Sequence, residues 1–367
     1  MAAFASSGNR VIDRGIDRGG ALPFRAAVGQ LGVMSKSPLQ DGVERLSRIA
    51  GSAAGQIMEV TRDGSGTHLV DKLLEELQEA AAEVRAMLEA SSWRMPDEEM
   101  ERRIQHLIHG RNINEHGVDP FGAEPAYMRK VVPFIEFLYR VYFRTETHNI
   151  ERVPDGRVLL IANHSGQLPF DGMVIGTSLL LERNPPRMIR TMVEKFVPTL
   201  PWFGTFVTRA GQVTGLPDNC RRLLDSEEAV AVFPEGARGI SKPFSQRYQM
   251  TQFGHGFMRL ALETGAPIVP IAVVGAEEQV INLANVQFLA RLVGAPSFPL
   301  PLLLPILGPA AMWPMPVKYR IYYGEPLYFE GDPNDDETLM AKRVGRVRDA
   351  IDEMIQQGLK ERRGIFV

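Results

Sequence analysis

From residue 157 to residue 275 short apolar runs alternate with stretches of helix length: RVLLIAN, PFDGMVIGTSLLLE, RMIRTMVE, GTFVTRAG, LPDNCRRLLDSEE, AVAVF, FGHGFMRLALETG and PIVPIAVVG. Brief apolar strands that alternate with helices of ten to fifteen residues predict βαβ units, because parallel neighbours need a crossover to return the chain to the same edge. The expected fold class is therefore α/β, a mostly parallel sheet flanked by helices on both faces. VKYRIYYG adds a strand after a Pro-rich insert. A closing helix is predicted over about residues 335–357, capped by the NDDE stretch, with Val344, Val347, Ile351, Met354 and Ile355 turned inward.

Ahead of this unit the pattern weakens. Residues 1–66 are rich in Gly, Ser, Ala and charge with little apolar periodicity, and read as a disordered tail. Residues 67–120 read as an amphipathic helical extension. Leu69, Leu73, Leu77, Ala80, Val84, Met87 and Leu88 recur at helical spacing behind a Thr67 N-cap, and a second helix is predicted near 97–109. Residues 121–367 then form the main domain. Within it, residues 126–144 (AYMRKVVPFIEFLYRVYFR) make an aromatic helix with two readings, one packed on the core and one lying at a lipid interface with Arg129, Lys130, Arg140 and Arg144 facing phosphate.

The net charge of −3 gives no field for nucleic acid, so DNA and RNA are not expected partners. The single cysteine, Cys220, excludes an internal disulfide and fits a reducing compartment. The first twenty residues lack the apolar core of a secretory signal. Residues 292–317 carry no charge, but repeated prolines oppose a spanning helix there, so a segment touching the membrane surface is expected instead. His106, His109 and His116 fit no standard metal spacing, and no metal site is expected.

Four motifs fall on the alternating unit. IANHSGQLPFDG places His164 where an apolar run turns out of the sheet, with Asp171 six intervening residues later. Pro169 suits a first helical position, which would put Asp171 in the first turn of the next helix. FGTFVTRAGQ over 203–212 reads as a strand carrying Arg209 into a Gly turn. AVFPEGARGISKPFSQRY runs an apolar strand into a tight turn holding Glu235, Gly236 and Arg238 at the strand's carboxyl end, where open α/β sheets place ligands. Residues 236–262 contain no acid yet include Arg238, Lys242, Arg247 and Arg259, a local cationic patch suited to an anionic headgroup or a carrier's phosphates. GAPIVPIAVVG over 265–275 reads as a buried strand.

The order of these motifs resembles that of the lysophospholipid acyltransferase family, which includes bacterial 1-acylglycerol-3-phosphate acyltransferases. The resemblance covers roughly residues 125–330. It implies a peripheral membrane enzyme of phospholipid biosynthesis, cytoplasmic and on the inner face of the membrane. Such an enzyme moves a fatty acyl group from acyl-CoA or acyl carrier protein to a hydroxyl of a lysophospholipid or glycerophosphate-type acceptor. A different lipid acceptor, or a non-catalytic lipid binder on the same fold, stays open. No cofactor is implied beyond the acyl thioester co-substrate. Residue by residue, the resemblance makes His164 the catalytic base with Asp171 its acidic partner. It assigns Arg209, Glu235, Gly236 and Arg238 to acceptor binding and puts Pro267 in a block near the acyl donor; Lys242, from the cationic patch, is a further candidate for substrate binding. One departure stands out. The family usually has four residues between His and Asp, and this chain has six.

Overall fold

The computed structural model describes residues 94–164, 170–240, 242–286, 288, 299–302, 304 and 311–366. The expected tail over 1–66 and the helix over 68–90 lie outside the described residues.

A seven-stranded sheet in the order β1-β9-β6-β2-β5-β3-β4 organises the chain. Its strands are β1 (Glu146–His148), β2 (Val158–Ala162), β3 (Ile189–Val193), β4 (Val213–Thr214), β5 (Ala229–Val232), β6 (Ile268–Val274) and β9 (Arg320–Tyr323). β2 lies between β5 and β6 and is parallel to both, and β3 continues the parallel set beside β5. Among the described strands of this sheet the one antiparallel pairing is β6 with β9, which pairs in turn with β1. A short hairpin of β7 (Asn282–Asn285) and β8 (Pro299–Pro301) lies apart from this sheet.

The uninterrupted apolar run of β2 follows from burial on both faces. Val158, Leu160 and Ala162 join one core while Leu159 and Ile161 join the other, the period-two alternation of a pleated strand. The first core is covered by α1 (Asp97–Ile108), α2 (Pro125–Phe137) and α3 (Phe170–Leu181) through Met100, Ile104, Val132, Val174, Ile175 and Leu179. The second is covered in part by α5 (Pro217–Asp225) and α7 (Gly256–Thr264). α8 (Glu337–Glu361) completes that face with Met340, Val344, Val347, Ile351 and Ile355, and Asp336 caps it by accepting from Thr338 N at 2.8 Å and Leu339 N at 3.0 Å.

Three sequence expectations change. Residues Phe203–Arg209 form a helix, α4, and not a strand. Their Phe, Val and Thr content favours β structure, but the helical turn stacks Phe203 on Phe206, with ring centroids 6.1 Å apart. It also brings Gly204 against Pro198, where an added Cβ would stand 2.2 Å from the carbonyl oxygen. The basic residues of the aromatic helix do not face outward together: Arg129 binds Glu101, Arg140 binds Glu136, and Arg144 is buried against the carbonyls of Tyr142, Pro316 and Phe366. Finally, the described residues ahead of 121, from residue 94, are tied into the sheet unit. Asp119, Arg111 and Glu228 surround the fully buried Arg190 of β3, with Arg190 Nη2 3.2 Å from Glu228 and Arg111 Nη2 2.9 Å from the same carboxylate. An ion cluster this deep persists because removing one member strands the others.

Candidate active site

Three neighbouring strands deliver the site. Because β2 is flanked by β5 and β6, the loops leaving their carboxyl ends meet around the residue that follows β2, the position that open parallel sheets use for ligands. Asn163 fixes this exit. It is fully buried, donates to Val273 O at 3.1 Å and accepts from Val273 N at 2.8 Å, so the last step of β2 is tied to β6 through a side chain. His164 comes next.

His164 and Asp171 form one pair. The imidazole Nδ1 lies 2.7 Å from Oδ2 of Asp171, which is fully buried in the first turn of α3 and whose Oδ1 accepts from Gly172 N at 2.8 Å. A carboxylate can only accept, so Nδ1 carries the proton and Nε2 keeps a lone pair. The two further residues of the motif do not separate the partners. The reading of Pro169 at the first helical position lies outside the described residues, as do residues 165–168 before it. Phe233 stacks on the imidazole with ring centroids 4.4 Å apart at 29°, fixing the ring's plane.

The loop after β5 supports the histidine from below. Gly236 takes φ +56°, the left-handed turn that suits glycine, and its N–H closes on Phe233 O at 3.0 Å. Glu235 is buried and its carboxylate is occupied: Oε1 accepts from the backbone N–H of His164 at 3.0 Å, and Oε2 accepts from Thr251 N at 2.7 Å and Thr251 Oγ1 at 3.0 Å. Lys242 likewise points inward, its Nζ 3.5 Å from Glu235, 3.1 Å from Glu277 and 3.2 Å from Gln249 O. Both were expected to meet the acceptor, and both instead brace the His164 loop, because two buried carboxylates hold the ammonium between them. Arg238 is exposed, on the short helix α6 (Ala237–Ile240), with one N–H on Gln252 O at 3.1 Å.

Two further expected site residues have these placements. Arg209 ends α4 and is held by both carboxylate oxygens of Glu124 at 2.6 and 2.7 Å, its guanidinium 4.1 Å from the centroid of the Tyr127 ring. Arg209 in turn keeps the Glu124 carboxyl below its ordinary pKa. Pro267 sits at the amino end of β6, accepting from Leu159 N at 2.9 Å. Leu159 precedes His164 by five residues, so at about 3.3 Å per residue Pro267 is some 16 Å down the sheet from the imidazole. Phe233, Gly239, Thr251 and Glu277 were missed. Of these only Phe233 and Gly239, inside the FPEGARG stretch, carried a local signal.

The comparisons with known proteins fit this arrangement. Residues 144–274, which span β2 to β6 and every loop named above except that of Glu277, match the Acyltransferase family. An uncharacterized protein of Mycobacterium leprae is 38% identical over 269 residues, covering 72% of this chain and 73% of that protein. One of Mycobacterium tuberculosis is 36% identical over 269 residues, covering 72% and 75%. The chicken DGAT1/2-independent enzyme synthesizing storage lipids is 28% identical over 206 residues, covering 55% of this chain and 58% of that protein. Among solved structures, 1-acyl-sn-glycerophosphate (LPA) acyltransferase PlsC from Thermotoga maritima aligns with a TM-score of 0.41 at 16% identity, covering 65% of this chain and 83% of that chain. With a histidine oriented by a buried carboxylate at the carboxyl edge of the sheet and the family match laid over the same residues, the chain belongs to the acyltransferase family.

Proposed function

We propose that this acyltransferase moves a fatty acyl group from a thioester, acyl-CoA or acyl carrier protein, to a free hydroxyl of a glycerolipid of the lysophospholipid or glycerophosphate type. The observation that carries the reading is the 2.7 Å contact between His164 Nδ1 and the buried Asp171, which leaves Nε2 to work as a base. Imidazole is the side chain whose ordinary pKa lies nearest neutrality, which suits it to take the hydroxyl proton as the oxygen attacks the thioester carbonyl. The tetrahedral oxyanion then collapses, the C–S bond breaks, and the proton on Nε2 passes to the departing thiolate. Asp171 holds the tautomer and stabilises the imidazolium between these steps. No covalent bond to the enzyme forms.

For the acceptor, Arg238 is the exposed cation of the FPEGAR turn and the group offered to a phosphate. Arg238→Ala is expected to raise the KM of lysophosphatidate by about tenfold or more while the KM of the thioester moves less than about twofold. Thioester release measured across lysophosphatidate, other lysophospholipids and monoacylglycerol checks this, and equal losses for donor and acceptor would overturn the assignment. A neutral glycerolipid acceptor is the second reading. It is favoured by the pairing of Arg209 with Glu124 and of Lys242 with two glutamates, which leaves fewer cations for phosphate, and the storage-lipid activity in the chicken relative's name points the same way. Preference for monoacylglycerol in that panel would establish it.

Membrane attachment belongs to the same reading, on the cytoplasmic side of the inner face. No helix among the described residues is long and apolar enough to cross a bilayer, so contact rests on exposed apolar side chains. Of the aromatic helix, Phe143 is buried and Phe137 half-buried, so only Phe134 remains as an anchor, at 56% exposure. Trp313, at 52%, reaches back to Phe170 beside Asp171, and Trp202 stands 89% exposed at φ +58° in the loop that leaves β3. Tryptophan on a sheet's ligand-bearing edge suits headgroup depth. Replacing Phe134, Trp202 and Trp313 together by Ser is expected to shift the protein from pelleted anionic vesicles to the supernatant, with circular dichroism unchanged. Undiminished pelleting would place the contact elsewhere.

A further inference from the structure

We infer that Glu277 is a positioning residue for His164, acting through Lys242 and Glu235. The inference rests on the acyl-transfer reading above and adds a residue beyond the stretch that matches the family, which ends at 274. Glu277 lies in the tight turn Ala276–Glu278 directly after β6, with its side chain buried. One carboxylate oxygen accepts from Tyr248 N at 2.7 Å and the other from Lys242 Nζ at 3.1 Å. An ammonium has three donors, and Lys242 directs them at Glu277, at Gln249 O and at Glu235. Glu235 passes the constraint on by accepting from the backbone N–H of His164 at 3.0 Å. The chain of contacts therefore crosses the loops of all three central strands, β6 to β5 to β2, and ends on the peptide of the base.

Simple packing does not account for such a cluster. Apolar side chains of the same volume would fill the space without the desolvation cost, whereas here two carboxyl groups share one ammonium beside the peptide of His164. The other charged and titratable groups facing Glu277 are already committed. Glu278 is bound by both Nη atoms of Arg362 with Arg247 nearby, and the Tyr248 hydroxyl accepts from Gly275 N at 2.9 Å. Burial raises the Glu277 carboxyl to about 7, so the cluster changes charge within the range in which an imidazole works.

The full-length protein carries the test, in two parts. Steady-state thioester release by Glu277→Ala is expected to show kcat lower by about tenfold or more, with both KM values within about twofold of wild type, because binding groups are untouched and only the base is displaced. Glu277→Gln keeps the shape and an acceptor for Lys242 and is expected to recover most of that loss. In the second part, the backbone amide signal of His164 is recorded by NMR without substrate. It is expected to move in Glu277→Ala and to return toward its wild-type position in Glu277→Gln, because that N–H donates to Glu235, which Lys242 and Glu277 hold in place. A His164 amide signal unmoved by Glu277→Ala overturns the inference, as does a folded Glu277→Ala with wild-type kcat. Should wild type release no thioester with any acceptor, the transfer reading fails by itself, while the substrate-free spectrum still decides whether Glu277 acts on His164.

Discussion

His164→Ala is expected to reduce thioester release to background, and Asp171→Asn to lower kcat by about a thousandfold or more while the acceptor KM stays within a few-fold. The asymmetry has a structural source. On the proposed mechanism, removing the imidazole deletes the group whose Nε2 lone pair takes the proton of the acceptor hydroxyl. The Asn variant keeps the ring but offers its buried partner position an amide that can donate toward Nδ1. That would move the ring proton to Nε2 and fill the lone pair needed for catalysis. Asp171 is fully buried and 2.7 Å from Nδ1, so water cannot easily take over its role. Initial rates with saturating thioester, on proteins shown to be folded by circular dichroism, check both variants. Near wild-type turnover by Asp171→Asn would sink the pairing.

The sheet was legible because its signal is local. Leu159, Ile161, Val230 and Ile268 each announce a strand through their neighbours, and the short runs between turns leave few other topologies open. The His164–Asp171 pair was legible for the same reason, since both partners sit in one twelve-residue stretch. What the sequence hid was pairing over long separations. Lys242 reads as one of four cations in a stretch free of acid, and only the fold brings Glu277 to it, thirty-five residues away. Arg209 gives no sign in the sequence of its partner Glu124, eighty-five residues earlier, which the fold brings across it. The helix over Phe203–Arg209 was hidden differently. Its composition favours a strand, and the contact of Gly204 with Pro198 that selects the helix is a tertiary one. Phe143 and Arg144, read as possible lipid contacts, are buried because Phe143 packs on Phe170 and Tyr319 and Arg144 donates to the carbonyls of Tyr142, Pro316 and Phe366.

Gly239→Ala is expected to lower kcat by about a hundredfold with little change in either KM. Gly239 lies on the short helix α6 where it passes under the base, and its N–H closes on Gly236 O at 3.0 Å. A Cβ there would stand 2.9 Å from the Glu235 Cβ, 2.9 Å from the His164 carbonyl oxygen and 3.0 Å from the His164 Cβ. None of these atoms is the free end of a flexible side chain. Glu235 is buried and anchored through four hydrogen bonds, and the His164 peptide is one of the groups it anchors, so relief requires that one loop lift from the other. A shift approaching 1 Å at a catalytic base costs on the order of a hundredfold in rate. The backbone itself does not resist alanine, which has the better helix propensity. Any loss is therefore steric and should appear in kcat before it appears in stability. Gly345→Ala supplies the contrast, because the same methyl on α8 meets nothing within 4 Å and activity there should stay within about twofold. Comparable kcat values for the two variants would mean that the contact between α6 and the His164 loop does not set the geometry of the base.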